Sequence, residues 1–106
     1  MIIRMERSGG FTGIPLRSVI NSERLDVEED INLRNMVESA GFFTLPAVIA
    51  PQGEGTDRFY YQLTVEDAGR IHTVEVREGA APESLLALIN QVSLLARRAR
   101  SDRKAL

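Results

Sequence analysis

The alternation of apolar and polar residues predicts four strands arranged as two pairs. We expect an edge or N-terminal strand first, then a glycine-rich stretch and a return strand. A short turn at 66–69 joins the other two. The predicted strands cover residues 2–7, 15–22, 58–65 and 71–77. In the third strand, the period of two places Phe59, Tyr61, Leu63 and Val65 on one face. In the second, it does not decide which face points inward.

Helical spacing predicts two helices, at about 27–40 and about 82–99. Asp26 and Glu29 have the spacing of a capping box, and Gly41 suits the position just after a helix end. Pro82 suits the first position of the second helix, because its missing N–H would be unpaired there anyway. The apolar stripe of the first helix comprises Leu33, Met36, Val37 and Ala40, extended by Val27 and Ile31. That of the second comprises Leu85, Leu88, Ile89, Val92, Leu95 and Ala99.

The order β-β-α-β-β-α predicts an α+β fold. We expect a four-stranded antiparallel sheet with both helices on one face. The 106 residues fit a single domain, 1–106, with a basic and frayed tail from about residue 100.

Composition excludes several classes of function. A net charge of −2 favours neither nucleic acid nor an anionic membrane as a partner. The first residues are charged and lack the apolar core of a signal peptide, and no apolar run approaches the ~20 residues that span a bilayer. We therefore expect a cytoplasmic protein. We also expect it to be monomeric when free.

Catalytic chemistry has little support in the sequence. The single histidine, His72, has neither cysteine nor a second histidine with which to build a metal site. The glycines at 9–13 lack the Lys-Ser/Thr of a P-loop and the spacing of a dinucleotide fingerprint. We expect no enzyme activity, no cofactor and no metal in the free protein. A small-molecule enzyme would require a pocket lined by His72 and carboxylates.

Two loops remain as candidates for function. One carries Phe11 and Ile14 among glycines, and the other carries Asp57 after Gly53 and Gly55. The first loop either presents its apolar side chains to a partner or folds back and buries them. Asp57 either binds a partner or accepts hydrogen bonds from its own backbone, as turn carboxylates do.

Four segments resemble the emfourin family, small bacterial protein inhibitors of protealysin-like metallopeptidases of the thermolysin family. They occur in the family's order and span most of the chain. The segments are Arg7-Ser8-Gly9-Gly10-Phe11-Thr12-Gly13, Ala40-Gly41-Phe42-Phe43-Thr44-Leu45-Pro46, Asp57-Arg58-Phe59-Tyr60-Tyr61-Gln62-Leu63-Thr64-Val65-Glu66-Asp67 and His72-Thr73-Val74.

The resemblance implies inhibition by two neighbouring loops. One supplies an aspartate to the catalytic zinc of the protease, and the other places apolar residues in its substrate-binding subsites. We assign the zinc contact to Asp57, with Asp67 as the rival, and the subsites to Phe11 and Ile14. The rest of the proposed protease-binding segment comprises Gly9, Gly10, Thr12 and Gly13.

Strand order decides between the two aspartates. If the first and third predicted strands are antiparallel neighbours, the loops that carry Phe11 and Asp57 lie at the same end of the sheet. If the first strand pairs with the fourth, the turn that carries Asp67 comes near instead. The alternative function is a non-inhibitory protein-binding module that uses the Phe11 loop.

Overall fold

The computed structural model describes residues 1–9, 15–50 and 59–104. These residues form an α+β fold with two helices and a five-stranded sheet. The strands are β1 (Ile2–Gly9), β2 (Leu16–Asn21), β3 (Val48–Ile49), β4 (Phe59–Asp67) and β5 (Arg70–Arg77). The helices are α1 (Val27–Ser39) and α2 (Glu83–Lys104).

The sheet is mixed, so the prediction of four antiparallel strands is wrong in this detail. The strand order is β2-β1-β4-β5-β3, and β3 runs parallel to β5. The extra strand has two residues, which is too short for an alternation of period two to reveal it. It lies at one edge of the sheet, whereas β1 lies inside and is not the edge strand that the sequence allowed.

One face of the sheet forms the core with both helices. The buried residues of β1, β4 and β5 lie opposite one another in the register, as Ile3 faces Val65 and Leu63 faces Val74. In β2 it is Ile20 that joins them, with Ser18 on the same side and Val19 exposed on the other. The helices contribute Leu33, Val37, Leu85, Leu88, Ile89, Val92 and Leu95 to this core. Both helices therefore pack on one face, as predicted.

The ends of α1 follow the sequence prediction, but part of its stripe does not. Asp26 is the N-cap and its side chain accepts a hydrogen bond from the Glu29 N–H at 2.9 Å. Gly41 adopts φ +58°, the left-handed conformation that favours glycine after a helix. Val27 and Ile31 are exposed, because the buried stripe runs through Leu33 and Val37 on another side of the helix.

The second helix is longer than predicted. It continues beyond residue 99 to Lys104, because arginine and alanine are good helix formers even where no apolar stripe requires a helix. Ala96 is buried and Ala99 is exposed, so among the described side chains the core contacts of this helix end at Ala96. Within the described residues, neither helix is long and apolar enough to cross a membrane.

Candidate functional site

The pairing of β1 with β4 decides where the two candidate loops emerge. In this antiparallel pair, Gly9 lies directly opposite Phe59. Gly9 is the last residue before segment 10–14, and Phe59 is the first residue after segment 51–58. The first and third strands of the sequence analysis are therefore antiparallel neighbours. We call this end of the sheet, with Gly9, Leu16, Phe59 and Arg77, the loop end.

Most of the predicted site residues are not part of the described structure. Gly10, Phe11, Thr12, Gly13, Ile14 and Asp57 lie outside the described residues. Gly9 is described and has φ +95°, a backbone angle that residues other than glycine rarely adopt. The chain thus enters segment 10–14 through a conformation that only glycine takes without strain.

Arg7 connects the two strands at the loop end. Its guanidinium carbon lies 4.7 Å from the centroid of the Phe59 ring, within cation–π distance. Tyr61, directly opposite Arg7 in the register, packs its ring 6.4 Å from that of Phe59. Phe59, which directly follows segment 51–58, thus packs against both Arg7 of β1 and the buried ring of Tyr61.

The burial and the charges of this cluster shift the pKa of Tyr61. Burial raises the pKa of its hydroxyl, the negative charge of Glu78 raises it further, and the charge and hydrogen bond of Arg7 partly offset both. Tyr61 is 5% exposed, so its neutral form is the one that fits this site. Its ring belongs to the buried core and helps to hold β4 in place.

Asp67, the rival for the zinc contact, lies at the opposite end of the sheet. We call this the turn end; it holds Ile2, Asn21, Asp67 and Arg70. One carboxylate oxygen of Asp67 accepts a hydrogen bond from Arg34 Nη1 at 3.3 Å, and the other lies 3.9 Å from Arg70 Nη2. Two cations of the same chain therefore already neutralise this carboxylate.

The rest of the turn end is also held by internal contacts. Arg34 Nε donates to Asp30 Oδ1 at 2.9 Å. The burial of Asp30 acts to raise its pKa, but hydrogen bonds to its carboxylate, including that from Arg34, lower the pKa overall. The Arg70 guanidinium lies 4.1 Å from the centroid of the Phe43 ring. An open cleft of about 410 Å³ lies among Arg34, Phe43, Asp67 and Arg70.

The side chain of His72 is held by contacts within the fold. Its Nε2–H donates to the Leu45 carbonyl oxygen at 2.8 Å, since a carbonyl can only accept. Its ring packs edge-on to Phe42, with centroids 5.7 Å apart. In the described part of the chain, no cluster of three His, Asp or Glu side chains has a metal-binding arrangement.

No role for Arg7 follows from the sequence alone. The alternation of β1 places Arg7 on the same face as the buried Ile3 and Met5, two residues before Gly9. A cation at an inward-facing position beside a predicted loop could have indicated that Arg7 belongs to the site. Its aromatic partner could not have been named, because that depends on the pairing of β1 with β4.

These features define a class: a small α+β protein with both helices on one sheet face and two chain segments connected to adjacent strands at one sheet end. The Emfourin family model matches residues 5–93 of the 106-residue chain. The chain belongs to the Emfourin family, and membership indicates a role as a protease inhibitor. Searches of curated proteins and of solved structures found no significant match.

Proposed function

We propose that the protein inhibits a protealysin-like, thermolysin-family zinc metalloprotease by inserting two loops into its active-site cleft. In this mechanism, Asp57 ligates the zinc of the enzyme. Phe11 and Ile14 occupy substrate-binding subsites, and the glycines around them let the backbone approach the cleft closely. The inhibitor itself performs no reaction and needs no metal when free.

The register of β1 and β4 is the observation that carries the proposal. Because Gly9 pairs with Phe59, the segments that contain Phe11 and Asp57 start from neighbouring positions on adjacent strands. Strands in a sheet lie about 4.8 Å apart. Two segments that start this close can enter one cleft together, which a two-loop mechanism requires.

The position of Asp67 favours Asp57 as the zinc ligand. Phe59 and Asp67 are the two ends of β4. Eight residue steps at about 3.4 Å each separate them by about 27 Å. To reach a zinc ion beside Phe11, Asp67 would have to cross this distance and leave Arg34 and Arg70.

The chemistry of the target explains why a carboxylate would block it. A catalytic zinc keeps one coordination position for water or substrate, and a carboxylate oxygen is an acceptable ligand. Occupation of that position displaces the water that the enzyme must activate. Burial of one Phe or Ile side chain in a subsite contributes about 1.5–3 kcal/mol before ordering costs.

Inhibition of a panel of protealysin-like enzymes by the wild type, Asp57→Ala and Asp67→Ala tests the proposal. We expect potent inhibition by the wild type and a loss of about 30- to 1000-fold in affinity for Asp57→Ala, as for a hot-spot residue worth 2–4 kcal/mol. Asp67→Ala should stay within about twofold of the wild type. Each variant is first checked for native thermal unfolding.

A spectroscopic arm tests the zinc contact itself. With Co²⁺ in place of zinc in the enzyme, wild-type inhibitor should change the visible absorption of the metal, and Asp57→Ala should not. Wild-type potency for Asp57→Ala would contradict the role of Asp57. An absence of inhibition at micromolar wild-type protein across the panel would contradict the proposed function and favour a non-inhibitory binding module.

A further inference from the structure

A cleft next to the loop end is lined by three arginines. It has a volume of about 130 Å³ and lies between the second half of α2 and the β1–β2 hairpin. We call it the arginine groove. Its lining residues are Met5, Arg7, Leu16, Ser18, Ser93, Ala96, Arg97 and Arg100. No acidic residue lines it in the described part of the chain.

The arginines of this groove differ from most others in the protein. Five arginines outside the groove bind carboxylates at N–O distances between 2.7 and 3.9 Å, namely Arg4, Arg17, Arg34, Arg70 and Arg98. Among the described side chains, neither Arg7, Arg97 nor Arg100 has a carboxylate within ion-pair distance. Three like charges with no counter-charge among the described side chains therefore share one concave surface of a chain whose net charge is −2.

The groove is lined by residues that precede and follow segment 10–14 in the sequence. Arg7 lies two residues before Gly9, and Leu16 lies two residues after Ile14, at the start of β2. Whatever binds segment 10–14 thus brings its own surface close to this groove. Arg97 and Arg100 lie beyond residue 93, where the family match ends, so the match does not account for them.

We propose that the arginine groove binds a carboxylate-rich surface of the target protease beside its active-site cleft. This inference rests on the proposed function. Arginine suits the role because its planar guanidinium pairs with carboxylates in a fork geometry. Unpaired cations at the rim of an interface act mainly on the rate of association, which they raise by long-range attraction.

The test measures association rate constants with a protealysin-like enzyme at 25, 150 and 500 mM NaCl. We expect Arg97→Glu and Arg100→Glu each to lower the rate by about threefold at 25 mM NaCl, and the double variant by about tenfold. At 500 mM NaCl the differences should fall below about twofold, because the Debye length shrinks to a few ångströms.

Arg24→Glu is the matched control for each single variant. Arg24 is exposed, has no ion pair among the described side chains, and follows the turn end of β2, far from the groove. Its rate constant should remain near that of the wild type, although its net charge changes equally. Because these positions are exposed, thermal unfolding should be unchanged in all variants.

The outcomes separate the two proposals. Wild-type inhibition with equal rates for Arg97→Glu, Arg100→Glu and Arg24→Glu would overturn the groove inference and leave the two-loop mechanism intact. A loss of rate that persists unchanged at 500 mM NaCl would also overturn it, since screening must weaken an electrostatic contact. Wild-type protein that fails to inhibit would instead overturn the proposed function.

Discussion

The two ends of the sheet differ in how their charged side chains are paired among the described residues. At the turn end, Asp67 lies between Arg34 and Arg70, and Arg70 in turn covers the ring of Phe43. At the loop end, Arg7 stacks on Phe59, and the groove beside it has arginines without carboxylate partners among the described side chains. The turn end thus pairs its charges within the chain, whereas at the loop end no described carboxylate pairs with the arginines of the groove.

This difference indicates which end a partner would bind. An ion pair that is already formed must be desolvated when another protein covers it, and the loss can exceed the gain. Unpaired cations form new pairs instead. The loop end is also where the segments with Phe11 and Asp57 begin, so apolar, metal-binding and electrostatic contacts would all act on the same side of the molecule.

Among the substitutions that compare the two ends, we expect the largest effects from Phe11→Ala and Phe43→Ala. Phe11→Ala should weaken inhibition by about 10- to 100-fold, the equivalent of 1.5–3 kcal/mol of burial in the enzyme, with little change in the free energy of unfolding. Phe43→Ala at the turn end should do the reverse. It removes a half-buried ring that packs on Phe42 at 5.9 Å, so we expect a loss of about 2 kcal/mol in stability and normal inhibition.

Urea unfolding and inhibition assays on both phenylalanine variants check this pair. If Phe11→Ala destabilised the protein as a core substitution does and inhibited normally, Phe11 would be buried in its own chain. That result would contradict a subsite role for Phe11 and would favour the alternative in which the loop folds back.

A smaller effect is expected from two glycines with positive φ. Gly9 has φ +95° at the loop end, and Gly69 has φ +80° in the hairpin turn of the turn end. Replacement of either by alanine should reduce the free energy of unfolding by about 1–2 kcal/mol, because a Cβ disfavours this backbone conformation. Only Gly9→Ala should also weaken inhibition, by about three- to tenfold, because it changes the direction in which the chain enters segment 10–14.

The comparison of Gly9 with Gly69 controls for the general effect of strain. Chemical denaturation gives the stability of each variant, and titration of the protease gives its affinity. Equal affinities for the two variants would show that the conformation of Gly9 does not affect binding.

The sequence predicted well those elements whose own side chains determine them. The alternation from Phe59 to Val65 produced the buried face of β4, and Asp26 and Gly41 marked the ends of α1, since caps depend on local hydrogen bonds and local φ. The two-residue strand β3 has no pattern of its own and forms only because β5 offers an edge. Val27 and Ile31 look apolar in the helical pattern but are exposed, because the core selects which side of the helix it contacts.

The candidate site could be predicted as two segments, but not as one place. Glycines, apolar residues and Asp57 are visible in the chain, whereas their nearness depends on β1 lying beside β4, a contact between residues about 50 positions apart. The same applies to the groove, where Arg7 and Arg97 come from opposite ends of the sequence. The sequence alone could not decide between Asp57 and Asp67 as the zinc ligand, because the ion pair of Asp67 with Arg34 also depends on tertiary structure.

The smallest effect is expected from the two arginines that stack on aromatic rings. Arg7→Met and Arg70→Met each remove a cation–π contact, to Phe59 and Phe43 respectively, and should each lower stability by about 0.5–1 kcal/mol. Arg7 also lines the arginine groove, so inhibition is compared at 500 mM NaCl, where long-range attraction is screened. There, Arg7→Met should still weaken inhibition by about two- to fivefold, because Arg7 holds the strand ends from which both loops start. Arg70→Met should inhibit like the wild type. Equal affinities for the two variants at this salt concentration would show that Arg7 acts on inhibition through its charge and not by positioning the strand ends.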